Sequence, residues 1–278
     1  MTDFKQVLVH LDASDTAGAR LHAARSIADR AGAAVAALYA AFPAYLDVAY
    51  AYDLAPGLVE GLAEIDASRL ADARGAFDDE MRSEGPAAVW SEATDIPVVD
   101  AFVQQALYAD LLVLGQENPS CPAPGVPQEF AQSVIIASGK PALLIPHIGW
   151  NRGVGEVAVI AWKESRESAR AVAYALPLLR YSREVHVLAW DESRDSPVRG
   201  QRLDLRRFLH QHGVEVEWHA GESEPKLIGQ MMLSRAFDLD ADLLVMGCYG
   251  HSRARELVLG GASRTVLRSM TLPVLMAH

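Results

Sequence analysis

Four glycines and a serine stand close together near the C-terminal end: Gly247, Gly250, Gly260, Gly261 and Ser263, within MGCYGHSRARELVLGGASRT. Glycine accepts positive φ and lets a ligand approach the backbone closely. A strand ending in glycines, an open loop and a helix opened by Gly-Gly-Ala-Ser can aim several backbone N–H groups at one point. Such a point attracts an anion, phosphate above all. His251, Arg253 and Arg255 lie in the same loop and add positive charge. The chemistry implied is the cradling of a phosphate group. The chain has no nucleophile elbow and no P-loop ending in Gly-Lys-Ser/Thr, so no catalytic residue is assigned.

Such a loop works only between a strand and a helix, and the flanking sequence supplies both. Apolar runs at 243–246 and 274–277 read as buried strands, with a helix over about 261–270 between them. Upstream, strands are expected at 157–162, 184–190 and 214–219, alternating with helices at 165–181, 198–212 and 225–237. The N-terminal half has the same order. Strands at 7–11, 33–41, 88–92, 111–114 and 142–145 alternate with helices at about 16–31, 57–83, 96–109 and 128–138. Asp12, Ala13 and Ser14 are expected to cap the first helix, and Thr94 with Asp95 the third. The segment 43–56, with Tyr45, Tyr50 and Tyr52, reads as a loop or lid. Strict alternation of strand and helix implies a parallel sheet covered on both faces.

The two halves are a repeat. Ala109-Asp110-Leu111-Leu112-Val113 matches Ala241-Asp242-Leu243-Leu244-Val245, and 243 − 111 = 132. Pro141 and Pro273 keep that offset, as do the endings Ile145-Pro146-His147 and Met276-Ala277-His278. Nearer the start the offset is 165 − 14 = 151, between Ser14 and Ser165. The first half therefore carries about nineteen extra residues, assigned to 43–83. Two domains are expected, at 1–147 and 154–278, joined through Gly149, Gly153 and Gly155.

The totals agree with a globular chain. It has 278 residues, half of them hydrophobic, and a formal net charge of −11, which disfavours nucleic acid and anionic membranes as partners. Two cysteines, Cys121 and Cys248, make neither a disulfide framework nor a zinc site. No signal peptide precedes the first strand and no run is long enough to span a bilayer, so a cytoplasmic location is expected. His210, His212 and His219 suggest metal only weakly, because no Cys or carboxylate cluster completes a set; no metal centre is expected.

The glycine stretch resembles the nucleotide loop of the universal stress protein family, whose pattern is Gly-x2-Gly-x9-Gly-[Ser/Thr]. Gly247, Gly250 and Gly260 match at that spacing, while Gly261 stands where Ser or Thr is usual. Ser263 or Thr265 could supply the hydroxyl. The resemblance covers the whole chain, through the repeat in the first half. It implies an α/β fold of two tandem, doubly wound, five-stranded parallel-sheet domains of the HUP type. It also implies an ATP site, with the magnesium that accompanies the nucleotide. In family members that bind ATP, an Asp after the first strand and a backbone position ending the second hold the nucleoside, and the glycine loop holds the phosphates. Lys163 stands at the Asp position and Ala189 at the second-strand position. Lysine cannot accept a hydrogen bond from ribose but can meet a phosphate as a point charge. Trp162 and Trp190 could wall the crevice, although core packing is their commoner use.

The same offset takes Gly247 to Gly115, Gly250 to Asn118, Gly260 to Gln128, Gly261 to Glu129 and Ser263 to Ala131. One glycine survives, and Glu129 would repel phosphate while suiting the helix dipole. The first half keeps Asp12, the residue the second half lacks, but reads as degenerate for nucleotide. The resemblance further implies a pseudo-dimer within the chain, with 142–145 and 274–277 as the pairing strands; association into a homodimer stays open. Three functions follow: an adenine-nucleotide-responsive stress protein, a nucleotide-free module for a protein partner or an apolar ligand, and a slow nucleotide hydrolase.

Overall fold

The computed structural model describes residues 3–47, 56–93, 97–189, 203–220, 227–248 and 261–278. The chain divides into two compact units, at 3–151 and 152–278. The first contains β1 (Gln6–Leu11), α1 (Ala17–Ala31), β2 (Ala34–Ala40), a 3-10 turn (Ala44–Asp47), α2 (Pro56–Met81), β3 (Ala88–Ala93), α3 (Val98–Ala106), β4 (Leu111–Gly115), α4 (Phe130–Ser138) and β5 (Ala142–Ile145). Its strands are parallel, in the order β3-β2-β1-β4-β5. The second contains β6 (Val157–Trp162), α5 (Arg166–Leu179), β7 (Glu184–Ala189), α6 (Leu205–Gln211), β8 (Glu217–Ala220), α7 (Ile228–Asp238), β9 (Leu243–Gly247), α8 (Ala262–Ser269) and β10 (Val274–Ala277). Its parallel order, β8-β7-β6-β9-β10, repeats the first. The doubly wound α/β class expected from the alternation is the fold observed.

The repeated sequence marks have repeated physical jobs. Asp110 accepts the backbone N–H groups of Lys5 and Gln6 at 2.7 and 2.9 Å. Asp242 accepts those of Gly155, Glu156 and Val157 at 2.8, 3.1 and 3.2 Å. In each unit this Asp holds the start of the first strand against the fourth, where ladder bonds alone would leave N–H groups unpaired. Pro141 and Pro273 each offer a carbonyl to the N–H of Leu112 and Leu244, both at 3.0 Å. The central strands are buried on both faces, as helix-covered parallel sheets require.

Several element ends differ from the sequence expectation. Thr16, not Asp12 or Ser14, is the N-cap of α1, and no side chain caps that helix. Asp12 Oδ1 instead accepts the Ser14 backbone N–H at 2.9 Å and an Arg20 guanidinium N–H; the buried charge pair outcompetes the cap. Pro97 is the N-cap of α3; Thr94 and Asp95 lie outside the described residues. The helix expected from 128 starts at Phe130, because Glu129 adopts the left-handed conformation at φ 54°. Asp204 caps α6 by accepting the Arg207 N–H at 2.8 Å. Tyr45 lies in the 3-10 turn, whereas Tyr50 and Tyr52 fall outside the described residues. Among the described residues no helix is long and apolar enough to cross a membrane.

In each unit the strand order reverses between the first and fourth strands. A crevice at the carboxyl ends of these strands is where open α/β sheets bind ligands.

Candidate functional site

In the second unit, the expected residues that are described gather at this carboxyl end. β6 and β9 are aligned so that Ala161 pairs with Met246, which puts Lys163 and Gly247 at the same end of the sheet. Lys163 is exposed and leads into Ser165, whose Oγ caps α5 by accepting the Ser168 N–H at 3.2 Å. Ala189 ends β7 beside Trp162 and is buried. Gly261 is the N-cap of α8 with φ −57° and ψ 150°, and Ser263 in the first turn is buried. Gly250, His251, Arg253, Arg255, Gly260 and Trp190 lie outside the described residues.

Gly247 has a local reason to be glycine. A Cβ there would lie 2.5 Å from Ser168 N and 2.6 Å from Glu167 C, the first turn of α5. Backbone cannot yield as a flexible side chain can, so Gly247→Ala must push α5 off the sheet. It is expected to destabilise the second unit by about 1–3 kcal/mol, read as a lower urea midpoint at unchanged slope. An unaltered midpoint would mean that α5 does not pack this closely.

The first unit fills the equivalent place with its own side chains. His10, Asp12 and Arg20 are each at most 3% exposed. Arg20 Nη2 donates to Asp12 Oδ1 at 2.6 Å and Arg20 Nε to the His10 carbonyl at 3.0 Å. Its Nη1 reaches Ser14 Oγ and Thr16 Oγ1, both at 3.2 Å. Burial pushes the Asp12 carboxyl up, but Arg20, His10 and Ser14 together hold it well below the usual carboxylate range. His10 Nε2 lies 2.9 Å from the Ala40 carbonyl, an acceptor, so this nitrogen carries the ring proton. Burial lowers the His10 pKa to about 4; Asp12 and the Ala40 hydrogen bond raise it, and Arg20 lowers it. Phe130, the first residue of α4, lies against the His10 ring with centroids 4.4 Å apart.

The loop 116–129 closes the same crevice from outside. Phe42 N–H, just beyond β2, donates to Gly125 O at 2.8 Å. Gly125 has φ +73°, and a Cβ on it would lie 2.9 Å from Phe42 O, so only glycine lets the loop sit there. At the N-cap of α4, the Glu129 N–H donates to Glu117 Oε2 at 3.1 Å. A carboxylate of the chain thus stands where a helix start could otherwise receive phosphate.

At the positions equivalent to His10, Arg20 and Phe130 the second unit carries none of these side chains. Strand registers fix the equivalence, since Val9 pairs with Val113 and Ile160 with Val245. The offsets are 160 − 9 = 151 and 245 − 113 = 132, those found in the sequence. They carry His10 to Ala161, Arg20 to Ala171 and Phe130 to Ala262, while Asp12 becomes Lys163. A ring, a guanidinium and a second ring are each replaced by a methyl group. With Arg20 replaced, α5 comes down on Gly247, whereas the nearest group to a Cβ on Gly115 is Arg20 Nη1 at 2.5 Å. Extending the repeat offsets to these three pairs is the signal that could have exposed the contrast from sequence.

His219 does not join His210 or His212. It lies on β8 beside His186 of β7, with His186 Nδ1 3.1 Å from His219 Nε2.

This arrangement defines a class: an α/β domain with a glycine-flanked crevice at its strand switch. The family model described as Universal stress protein family matches residues 157–278. Residues 157–278, the second unit from β6 to β10, are thus similar to the universal stress protein domain. A 62-residue stretch is 40% identical to a universal stress protein of Synechocystis sp., covering 22% of this chain and 20% of that protein. The match therefore spans about a fifth of that relative's length. Among solved structures, a universal stress protein from Archaeoglobus fulgidus is similar at TM-score 0.68 and 16% identity, over 98% of this chain and 95% of that one. A putative universal stress protein from Pseudomonas aeruginosa is similar at TM-score 0.61 and 16% identity, over 99% and 93%. At these identities the likeness concerns the fold.

Proposed function

We propose that the second domain binds an adenine nucleotide, ATP, at the carboxyl ends of β6, β7 and β9. On this reading the chain is a cytoplasmic, nucleotide-responsive binding protein of the stress response. One observation carries it: His10, Arg20 and Phe130, which fill the crevice of the first domain, are Ala161, Ala171 and Ala262 in the second. Lys163 then serves the phosphates as a point charge, and the backbone at Ala189 faces the base. Gly247, Gly261 and Ser263 would receive the phosphates, the sequence pattern adds Gly250 and Gly260 with the charges of His251 and Arg253, which lie outside the described residues, and magnesium arrives with the nucleotide. The first domain, closed by its own side chains, takes none. Hydrolysis, where it occurs, is slow and incidental.

A second reading has its own support. Gly247 is accounted for by the approach of α5 alone, so a nucleotide-free module that binds a protein or an apolar ligand would keep it too. Mass spectrometry of small molecules released from the purified chain separates the two. The expected result is release of an adenine nucleotide, a higher melting temperature with added ATP, and ATP affinity at least tenfold weaker in Gly260→Glu, about 1.4 kcal/mol or more. No released nucleotide and no thermal shift with ATP would give the interaction module the lead.

A further inference from the structure

β7 and β8 lie side by side and parallel at one end of the second sheet, with His186 opposite Glu217 and Leu188 opposite His219. Side chains two apart on a strand share a face, so Glu184, His186, Glu217 and His219 all project from one side. Three of them converge. His186 Nδ1 is 3.1 Å from His219 Nε2 and 3.6 Å from Glu217 Oε2, and His219 Nε2 is 3.8 Å from Glu217 Oε1. From these groups we infer a binding site for one divalent transition-metal ion, of the zinc class, held by His186, Glu217 and His219.

The spacing suits an ion. Two ligands bound at about 2.0–2.1 Å lie about 3.3–3.4 Å apart in a tetrahedron and never more than about 4.2 Å. The two nitrogens fall under that limit, and each lies within it of one Glu217 oxygen, Oε2 for His186 and Oε1 for His219, so the carboxylate binds through both oxygens or turns to present one. Two imidazoles and a carboxylate are a donor set that zinc takes, with a fourth position left for water. That position has access to solvent, because the Glu217 side chain is 68% exposed whereas His186 is 6% and His219 17% exposed.

A second observation concerns the far side of the His186 ring. Its Nε2 is buried and has no hydrogen-bond partner among the described residues. The carboxylate of Glu184 lies 3.7 Å away, at Oε2. With an ion on Nδ1, Nε2 must carry the ring hydrogen and turn it toward that carboxylate. This is the outer partner that orients metal-bound histidines and raises their basicity. Without an ion, the two rings share a single N–H between their facing nitrogens, and an ion on Nδ1 fixes the tautomer that turns the Nε2 hydrogen toward Glu184.

Arg235 works against the ion. Its Nη2 lies 3.4 Å from His219 Nδ1, which carries a hydrogen once Nε2 is a ligand. The guanidinium must then swing away, toward Asp238 at 3.9 Å. Arg235→Gln is accordingly expected to tighten binding. The three ligands are none of the residues proposed to meet the nucleotide, and neither inference rests on the other.

The test uses the full chain without an affinity tag, stripped with a chelator and titrated with Zn2+ in a calorimeter. The expected result is one equivalent bound and a higher unfolding midpoint with Zn2+. Affinity should fall at least tenfold in His219→Gln, whose fold is checked by circular dichroism, and stay unchanged in His210→Gln with His212→Gln. Co2+ in place of Zn2+ should give the visible absorption of a four- or five-coordinate nitrogen and oxygen site, lost in His219→Gln. The inference is overturned by the absence of saturable Zn2+ uptake at micromolar concentration. It is equally overturned by His219→Gln binding as tightly as the parent chain, or by the His210 and His212 substitutions abolishing uptake.

Discussion

Arg20→Met is expected to destabilise the first domain by about 3–5 kcal/mol. The size follows from what is left behind. Asp12 is 3% exposed, and its closest charged partner is Arg20 at 2.6 Å. With the guanidinium gone, a buried carboxylate keeps the Ser14 hydrogen bonds and a neutral imidazole, neither of which balances its charge. Met matches the length of the arginine stem, so lost packing contributes little. Asp12→Leu combined with Arg20→Met should recover most of the loss, since replacing both members of a buried pair by apolar groups is often near neutral. The second domain carries a related solution, with Ala171 and Lys163 at these positions. Two domains need not unfold in one transition, so the measurement is hydrogen exchange of residues 6–31 in the full chain. A loss under about 1 kcal/mol in Arg20→Met would contradict the burial of the pair.

Acidification is expected to weaken the first domain well before carboxylates titrate. His10 has its pKa lowered by burial from 6.5 to about 4. Below pH 6.5 the unfolded chain takes up a proton at His10 that the folded chain refuses. Stability is therefore intact above about pH 6.5 and falls as pH drops toward 4, by about 3 kcal/mol in total. Asp12 acts lower: although burial raises its pKa, Arg20 outweighs that and holds it below its ordinary value of 3.8. Its contribution is present above about 3.8 and is lost below it. His10→Gln, which can still donate to the Ala40 carbonyl, should flatten the curve between pH 6.5 and 4. Guanidinium midpoints across that range, read by hydrogen exchange in β1, decide the matter. A slope that persists in His10→Gln would assign the acid sensitivity elsewhere.

The layout of the two halves was legible because repetition turns sequence into a ruler. The offsets 132 and 151 align the two strand orders before any coordinate is known, and they mark the loss of glycines between Gly115 and Glu129. The role of Asp12 was not legible. Read alone, Asp-Ala-Ser before a helix signals a cap, and only the position of Arg20 on the inner face of α1 turns that carboxylate inward. Glu129 was read as a charge at a helix start, which it is. Its left-handed backbone and its N–H bond to Glu117 come from the path of a proline-rich loop. The pairing of His186 with His219 was missed because their contact depends on the register of β7 against β8, across 33 residues.

The sequence by itself determined the alternation of strand and helix, the repeat offsets and the spacing of the glycines. These are periodic or local properties, written in side-chain polarity and backbone freedom. Tertiary structure alone decided how the side chains of the first crevice fill it, why Gly247 must be glycine and which histidines meet. Each of these depends on close approach between segments distant in the chain. That a Cβ on Gly247 would lie 2.5 Å from the first turn of α5 follows from how helix and sheet pack, a quantity that no local pattern encodes.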